Sequence, residues 1–573
     1  MQVIKSLTKL LFFLFPVSVF SQTTYLPEGA KEYHILDRLQ IKAGQSANLN
    51  FSTLKPFSRK FIVADVDFLD SARYGYFNAN GQDNYKGWTD FKTTPIDDYN
   101  IRSILMNSAE WVSGSHEDFF SKKPVLKHFY VSKPNMYEVN TKDFFLALNP
   151  VFQFNLSHES NNSQRLYLNS RGLTARGRIA NKIGFSATVV DNQERGPGYF
   201  TKMVRDLRAV PGYGFFKSFK RDSTAVDYFD ARGYVTFSAT KYINFQAGYD
   251  KNFIGNGYRS LFLSDWGNSY LFFKINTRIW KLNYQNLFME LMPQYVKNGD
   301  SLLDRKYAAM HHLSVNVTKW LNIGLFEGVI FGRKNRFDFQ YLNPIIFFRH
   351  IEGMIGSPDN AVAGIDFKAN VAHTAQFYGQ VLFDEFLIKN VRSHPTSWTN
   401  KFGFQLGGKY VDAFGIKNLD LQAEVNRVRP FTYSHNNLIG NYTHYNQPLA
   451  HPLGANFQEF IGIARYQPAP RWYISGTAIY YYKGLDTATA NFGGDIFRNY
   501  LDRLSDEGFK VGSGQKVKVF NGILEASYEL RENFFIDFSL NQRLYSLAGT
   551  PRLTSTMITG GIRLNMSRRK YDY

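Results

Sequence analysis

The chain has 573 residues, no cysteine, 67 Lys+Arg against 48 Asp+Glu, and 17% aromatics, with 53 Phe and 36 Tyr. The absence of cysteine excludes disulfide scaffolds, thiolate metal sites, a cysteine nucleophile and a lipoprotein lipobox. Mean hydropathy is −0.32, and past residue 20 no apolar run reaches the roughly 18 residues that a membrane helix needs, so a helical membrane protein is excluded.

Taken in chain order, residues 1–21 read as a signal peptide. Lys5 and Lys9 precede the apolar run Leu10 to Phe15, and Val19-Phe20-Ser21 ends on a small residue, so cleavage after Ser21 and export are expected. The formal charge of +19 is spread along the chain without a nucleic-acid-binding signature. On an exported chain such an excess points to lipid phosphates or acidic polysaccharide, not to nucleic acid. Residues 22–138 carry helical spacing. Ile35 and Leu39 lie four apart in Glu32 to Leu39, Phe61 to Leu69 continues the pattern, and Asn100 to Trp111 aligns Ile101, Ile104, Leu105 and Trp111 behind Asp97 or Asp98 as N-cap. This periplasmic helical region is expected to plug the barrel mouth or to hang free as a module.

From about residue 140 the period is two. Phe144, Leu146, Leu148, Pro150, Phe152, Phe154 and Leu156 share one parity. Hairpins recur at Leu173 to Ile179 with Ile183 to Val189, at Leu313 to Val317 with Leu321 to Leu325, and at Leu524 to Leu530 with Phe534 to Leu540. A soluble sandwich also alternates. Three features favour a transmembrane barrel over it. Charge sits within strands at Asp420, Glu424, Glu525, Glu529 and Asp537, as a hydrated lumen allows. Short turns (Thr240-Lys241, Thr318-Lys319, Arg531-Glu532-Asn533) alternate with long polar stretches near 191–232, 335–362, 427–457 and 483–519. Tryptophan stands beside a cation at the turns Trp280-Lys281, Lys319-Trp320 and Arg471-Trp472, an interfacial girdle.

A closing strand is expected over Ile558 to Met566, with Tyr573 as a terminal aromatic. At roughly 24 residues per strand and connection, the segment 139–573 gives about 18 antiparallel strands. The expected fold is thus an all-β outer-membrane barrel with a small N-terminal helical region.

Asp191-Asn192-Gln193, Gly255-Asn256-Gly257-Tyr258-Arg259-Ser260-Leu261-Phe262-Leu263-Ser264-Asp265, Tyr341-Leu342-Asn343-Pro344, Ser357-Pro358-Asp359-Asn360, Asp384-Glu385-Phe386, and the run from Glu424 to Pro430 through Ala450 to Asn456 follow in order. Together they resemble the Wzi-like capsule-assembly family, and within it the gliding-motility RemB branch of Bacteroidota. The resemblance spans nearly all of the exported chain. It implies an 18-stranded outer-membrane barrel closed by a periplasmic helical bundle, which binds or organises capsular polysaccharide or supports gliding. The implied partners are surface polysaccharide, outer-membrane lipid and other envelope or motility proteins.

The densest polar cluster runs from Glu424 to Glu459 and holds Arg427, Arg429, Tyr433, His435, Tyr442, His444, Tyr445 and His451. Arginines two apart share one side of a strand and can grip glycan carboxylates, while tyrosine faces stack on sugar rings. The alternative is that the same residues pack the loop against itself within the barrel mouth. A metal set of His435, His444, His451 and Glu459 matches no compact zinc spacing. Asp384-Glu385 with Asp359 as a glycosidase pair has no further support. Gly255-Asn256-Gly257 and Gly512-Ser513-Gly514 lack the lysine of a phosphate loop, and no GxSxG is present. No cofactor is expected. The function expected is that of a non-enzymatic surface-polysaccharide protein, with a porin or an outer-membrane glycan- or lipid-acting enzyme as alternatives.

Overall fold

The computed structural model describes residues 23–44, 51–73, 92–112, 117–180, 182–219, 222–293, 302–345, 347–356, 358–384 and 388–573. The expected signal peptide and Glu385 lie outside them. Among the described residues, eighteen antiparallel strands close into a barrel. They are β1 (Phe144–Glu159), β2 (Leu166–Ile179), β3 (Ile183–Arg195), β4 (Asp222–Ser238), β5 (Ile243–Asp250) and β6 (Tyr270–Ile279). Next come β7 (Leu282–Leu291), β8 (Lys306–Asn316), β9 (Leu321–Phe331), β10 (Asn360–Val371), β11 (Ala375–Asp384) and β12 (Phe402–Tyr410). The last six are β13 (Leu419–Val428), β14 (Phe457–Tyr466), β15 (Trp472–Leu485), β16 (Gln515–Arg531), β17 (Phe534–Leu547) and β18 (Leu553–Leu564). Each pairs with its neighbours in the chain, and β18 returns to β1 with Ile562 opposite Phe154. Closure leaves no strand edge unpaired, which lipid requires.

The alternation read from the sequence sets the two faces. Leu156 (54% exposed) and Leu524 (60%) point outward, whereas Gln153 (0%), Asp420 (4%) and Glu424 (4%) point into the lumen. Connections at one end are short turns, and Trp280, Trp320 and Trp472 are exposed there. Those at the other end are mostly long. The strands run further into the long connections than composition suggests: β3 reaches Arg195 and β15 reaches Leu485.

Before the barrel lie α1 (Glu32–Ala43), α2 (Arg59–Arg73) and α3 (Pro95–Asn107). Their core is Ile35, Leu36, Leu39, Ile62, Val63, Val66, Ile101, Ile104 and Leu105. The N-cap of α3 is Thr94, not Asp97 or Asp98. Thr94 Oγ1 accepts from the Asp97 amide and Asp97 returns the bond to the Thr94 amide, a capping box with Pro95 at the first helical position. The bundle sits against the short-turn mouth. Arg38 reaches Asp97 at 2.6 Å, Asp412 at 2.6 Å and Asp420 at 2.5 Å, and Lys31 reaches Glu529 at 2.6 Å and Glu532 at 2.7 Å.

The end of the barrel departs from expectation. The final strand stops at Leu564, and residues 565–573 turn back into the lumen, where Tyr573 is 3% exposed. Cations within this segment cause the turn. Arg568 pairs with Glu525 at 2.7 Å and Asp537 at 2.8 Å, and Arg569 with Glu194 at 3.2 Å; without them Glu525 and Glu194 would face the lumen with no cation, while Asp537 would keep Arg563 at 2.8 Å.

Candidate functional site: a lumen filled by its own chain

Two long connections fold into the lumen from the end opposite the helices. In the first, residues 251–269, the anchor is Glu424 on β13. It accepts from the amides of Tyr258 at 2.6 Å and Arg259 at 3.1 Å, and from the Tyr378 hydroxyl at 2.8 Å. Gly257 is required here, because a Cβ would lie 2.5 Å from Glu424 Oε2. Gln380 holds the Leu261 amide at 2.8 Å, and Phe262 stacks on Phe326 of the wall with ring centres 4.4 Å apart. Arg259 donates to the Asp572 carbonyl at 2.7 Å and lies 3.3 Å from its carboxylate. Burial pushes the Asp572 carboxyl up, and Arg259 and Lys570 more than reverse this, so it stays below the usual aspartate range.

The second connection, residues 429–456, holds most of the residues singled out in the sequence. Tyr433 donates to the Leu261 carbonyl and Tyr442 to the Phe262 carbonyl, both at 2.7 Å. The two inserted loops are thereby riveted together. The Tyr433 amide donates to Asp384 at 2.6 Å. His435 accepts from the Asn437 amide at 3.2 Å, and its ring meets Tyr500 edge-on. His444 Nδ1 accepts from the Met292 amide at 3.1 Å, which makes Nε2 the protonated nitrogen that donates to the Ser269 carbonyl at 3.0 Å. Burial lowers its pKa from 6.5 to about 4. The Tyr445 amide donates to the Met292 carbonyl at 3.0 Å. His451 accepts from Leu453 at Nδ1, lies 2.7 Å from Glu459 through Nε2 and stacks on Phe457.

These six side chains are all under 9% exposed, so each is occupied within the fold. With both ring nitrogens of His444 and of His451 engaged, neither offers a lone pair to a metal. The two arginines behave differently from one another. Arg427 takes the outward parity of β13, opposite to Glu424 and Asn426. Arg429, one residue past the strand, donates to the carbonyls of Asn400 at 2.8 Å, Phe509 at 3.3 Å and Ser397 at 3.4 Å, and covers the Phe402 ring. It therefore ties three connections together. Asp384 and Asp359 are likewise used in the fold, Asp359 by Arg333 at 2.5 Å and Tyr341 at 2.7 Å.

Between the helices, the first inserted connection and residues 565–573 remains a cavity of about 750 Å3. Its wall carries interleaved charges, among them Glu28, Arg232, Asp250, Lys251 and Asp265. Glu28 lies 2.7 Å from Arg232 and 3.5 Å from Lys251. Two groups escaped the sequence reading. One is the 565–573 insertion, whose signal was the Arg568-Arg569-Lys570 run after an alternating strand. The other is a stack on the long-loop side, where Arg503 lies 3.9 Å over the Trp398 ring and Trp398 lies 4.8 Å from Tyr500. Its signal was a tryptophan far from any short turn.

A closed, lipid-belted barrel of alternating strands, shut at one mouth by helices and filled from the other by loops, is an outer-membrane β-barrel. No family model matches the chain, and no curated protein sequence matches it either. The fold is similar to that of Wzi from Escherichia coli, a carbohydrate-binding β-barrel and outer-membrane protein involved in group 1 capsule assembly. The match has a TM-score of 0.55 at 12% identity and covers 95% of this chain and 100% of that one. Looser matches include OprD from Pseudomonas aeruginosa (TM-score 0.40, 10% identity, 73% of this chain and 95% of that one). OccK8 (OprE) from the same organism gives 0.41 and 9% identity, over 73% of this chain and 98% of that one.

Proposed function

We propose that the protein is a non-enzymatic outer-membrane scaffold that binds or organises capsular or other surface polysaccharide at its long-loop face. Through that role it supports adhesion or gliding, as the likeness to the RemB branch implies. The observation that carries this reading is the filled lumen. A conduit needs a continuous water path, whereas here the helices, two connections and residues 565–573 occupy the lumen and leave a cavity of about 750 Å3 between them. The helical region then lies on the periplasmic side, where outer-membrane barrels place their short turns. The residues from Tyr433 to His451 brace the polysaccharide-facing surface from beneath, with Arg429 as the tie to the neighbouring loops. The Wzi-like fold supports the same reading.

The test is the partition of surface polysaccharide between cell pellet and medium in a deletion strain and its parent. Release into the medium is expected. An unchanged partition overturns the proposal, and a steady open-channel conductance of the whole chain in planar bilayers would favour an uptake channel instead.

A further inference from the structure

Outward side chains of a barrel normally meet lipid, yet over the long-loop halves of β7–β9 they do not. Phe288 (7% exposed), Tyr307 (6%), Val329 (0%) and Phe331 (1%) take outward positions and are buried. They are covered by Phe337, Tyr341, Phe348 and Ile351. These belong to the connection between β9 and β10, which turns down the outer wall instead of across the mouth.

Under it lies a pair that a bare lipid-facing wall would not tolerate. His311 and Glu327 stand opposite each other in register, both outward, with His311 Nδ1 2.8 Å from Glu327 Oε1. Ionisable groups on the lipid side are costly. This pair is sheltered because the Glu327 carboxylate accepts the amides of Phe347 at 2.6 Å and Phe348 at 2.8 Å, while the Phe348 ring stacks on His311 at 4.0 Å. The connection is therefore latched to the wall.

Its other surface carries four large apolar side chains, with exposed Arg349, paired to Glu352 at 2.6 Å, and His350 among them. Phe339 (77% exposed), Ile345 (66%), Phe347 (69%) and Met354 (76%) point away from the barrel. Exposed Lys334 and Arg336 precede them, beside the barrel rim where the Tyr307 hydroxyl donates to the Asn335 carbonyl at 2.9 Å. Tyr307 and His311 are four residues apart on one strand, so the wall residue under Phe348 lies about 13 Å along the tilted strand from the one that holds Asn335. A basic rim above an apolar flap continues the lipid-facing belt outward.

We propose that the β9–β10 connection is an outer-leaflet lipid-binding flap: Phe339, Ile345, Phe347 and Met354 lie among acyl chains, and Lys334 and Arg336 face anionic headgroups. Charge complementarity and continuity with the lipid belt select lipid as the occupant over a second protein.

The chain has no cysteine, so single labels are unambiguous. Nitroxide labels at Phe347→Cys, Met354→Cys and Lys334→Cys would be read in the full chain, reconstituted in vesicles of phosphatidylcholine with phosphatidylglycerol. The labels at 347 and 354 are expected to collide with oxygen at least fivefold more than with a water-soluble nickel chelate, with the reverse preference at 334. Two outcomes would overturn the proposal. Chelate access at 347 and 354 equal to that at 334 would place the flap in water. Shielding from both reagents would mean that a protein covers it. Because 347 lies next to the latch, 354 serves as the control for local disruption.

Discussion

Arg38→Ala tests whether the helical bundle is held to the barrel by the buried charge cluster. Arg38 is 4% exposed and holds Asp97, Asp412 and Asp420 together. Burial works against its charge, and the three carboxylates more than restore it, so the guanidinium is held even more firmly protonated than usual. Removing one partner of a buried pair costs about 3–5 kcal/mol, because the opposite charge stays behind uncompensated. Lys42 still reaches Asp97 at 2.6 Å and Asp412 at 3.1 Å, which sets the expectation at the lower end, about 3 kcal/mol. At 1.4 kcal/mol per decade that is roughly a 100-fold rise in bundle opening. The assay is amide exchange of the full chain in bilayers, comparing residues 32–43 with strands β16 and β17. Helix amides should exchange about 100-fold faster while strand amides keep their protection, and Arg38→Lys should fall between. Unchanged helix exchange refutes the latch. Equal acceleration in the strands refutes the idea that the bundle opens separately.

Other outcomes follow from the same contacts. Asp97 is held below its ordinary pKa of 3.8, because Arg38 and Lys42 outweigh the upward push of burial. Its contribution to docking is therefore in force above that value and is lost only as the pH falls through the lowered one, measurable by the same exchange on α1. His444 has the same pH direction for the opposite reason, since the fold favours its neutral form. The unfolded chain takes up the proton near 6.5 and the folded one near 4, so loop protection is full above 6.5 and falls by on the order of 3 kcal/mol between the two. Exchange at the Met292 amide reads this, and His444→Asn should remove the step. Arg429→Ala should raise exchange in residues 388–401 and 429–456 by about 1.5–3 kcal/mol of lost charged hydrogen bonding. Arg427→Ala should leave it unchanged. Gly257→Ala should lower the thermal stability of the purified barrel, since its Cβ would meet Glu424.

The barrel was legible because two solvents write two periods into one strand: lipid asks for Leu156 and Leu524, the lumen for Asp420 and Glu424. Glu32 to Leu39 and Phe61 to Leu69 were legible as helices for the matching reason, a helical period around one small core. The Thr94 cap was passed over for the acids beside it, although the Thr-x-x-Asp spacing was present. The direction of the long connections was not legible. Tyr433, Tyr442 and His444 are the residue types of a sugar platform and equally those of a packed insertion. What decides between the two is a partner far away in the chain, such as the Leu261 carbonyl for Tyr433. The descent of the β9–β10 connection down the outer wall was hidden in the same way. Glu327 breaks the apolar parity of β9, but only the Phe347 and Phe348 amides explain why it can.

The distribution of charge connects these observations. Asp420, Glu194, Glu459, Glu525, Glu529 and Asp537 stand on the inner wall. Many of their partner cations come from inserted segments: Lys31 and Arg38 from the helical region, Arg259 from the first connection, Arg568 and Arg569 from the final residues. Emptied of these segments, five of these six carboxylates would lose the cation that meets them, while Asp537 would keep Arg563 of β18. Filling the barrel therefore neutralises it. Withdrawing any one insertion would separate charges that are no more than 14% exposed in these pairs. Such a lumen resists gating by small shifts of a loop, since each opening must break several buried pairs together. A barrel with that property presents a fixed outer face, which suits the holding of a polymer at the surface better than the passage of a solute.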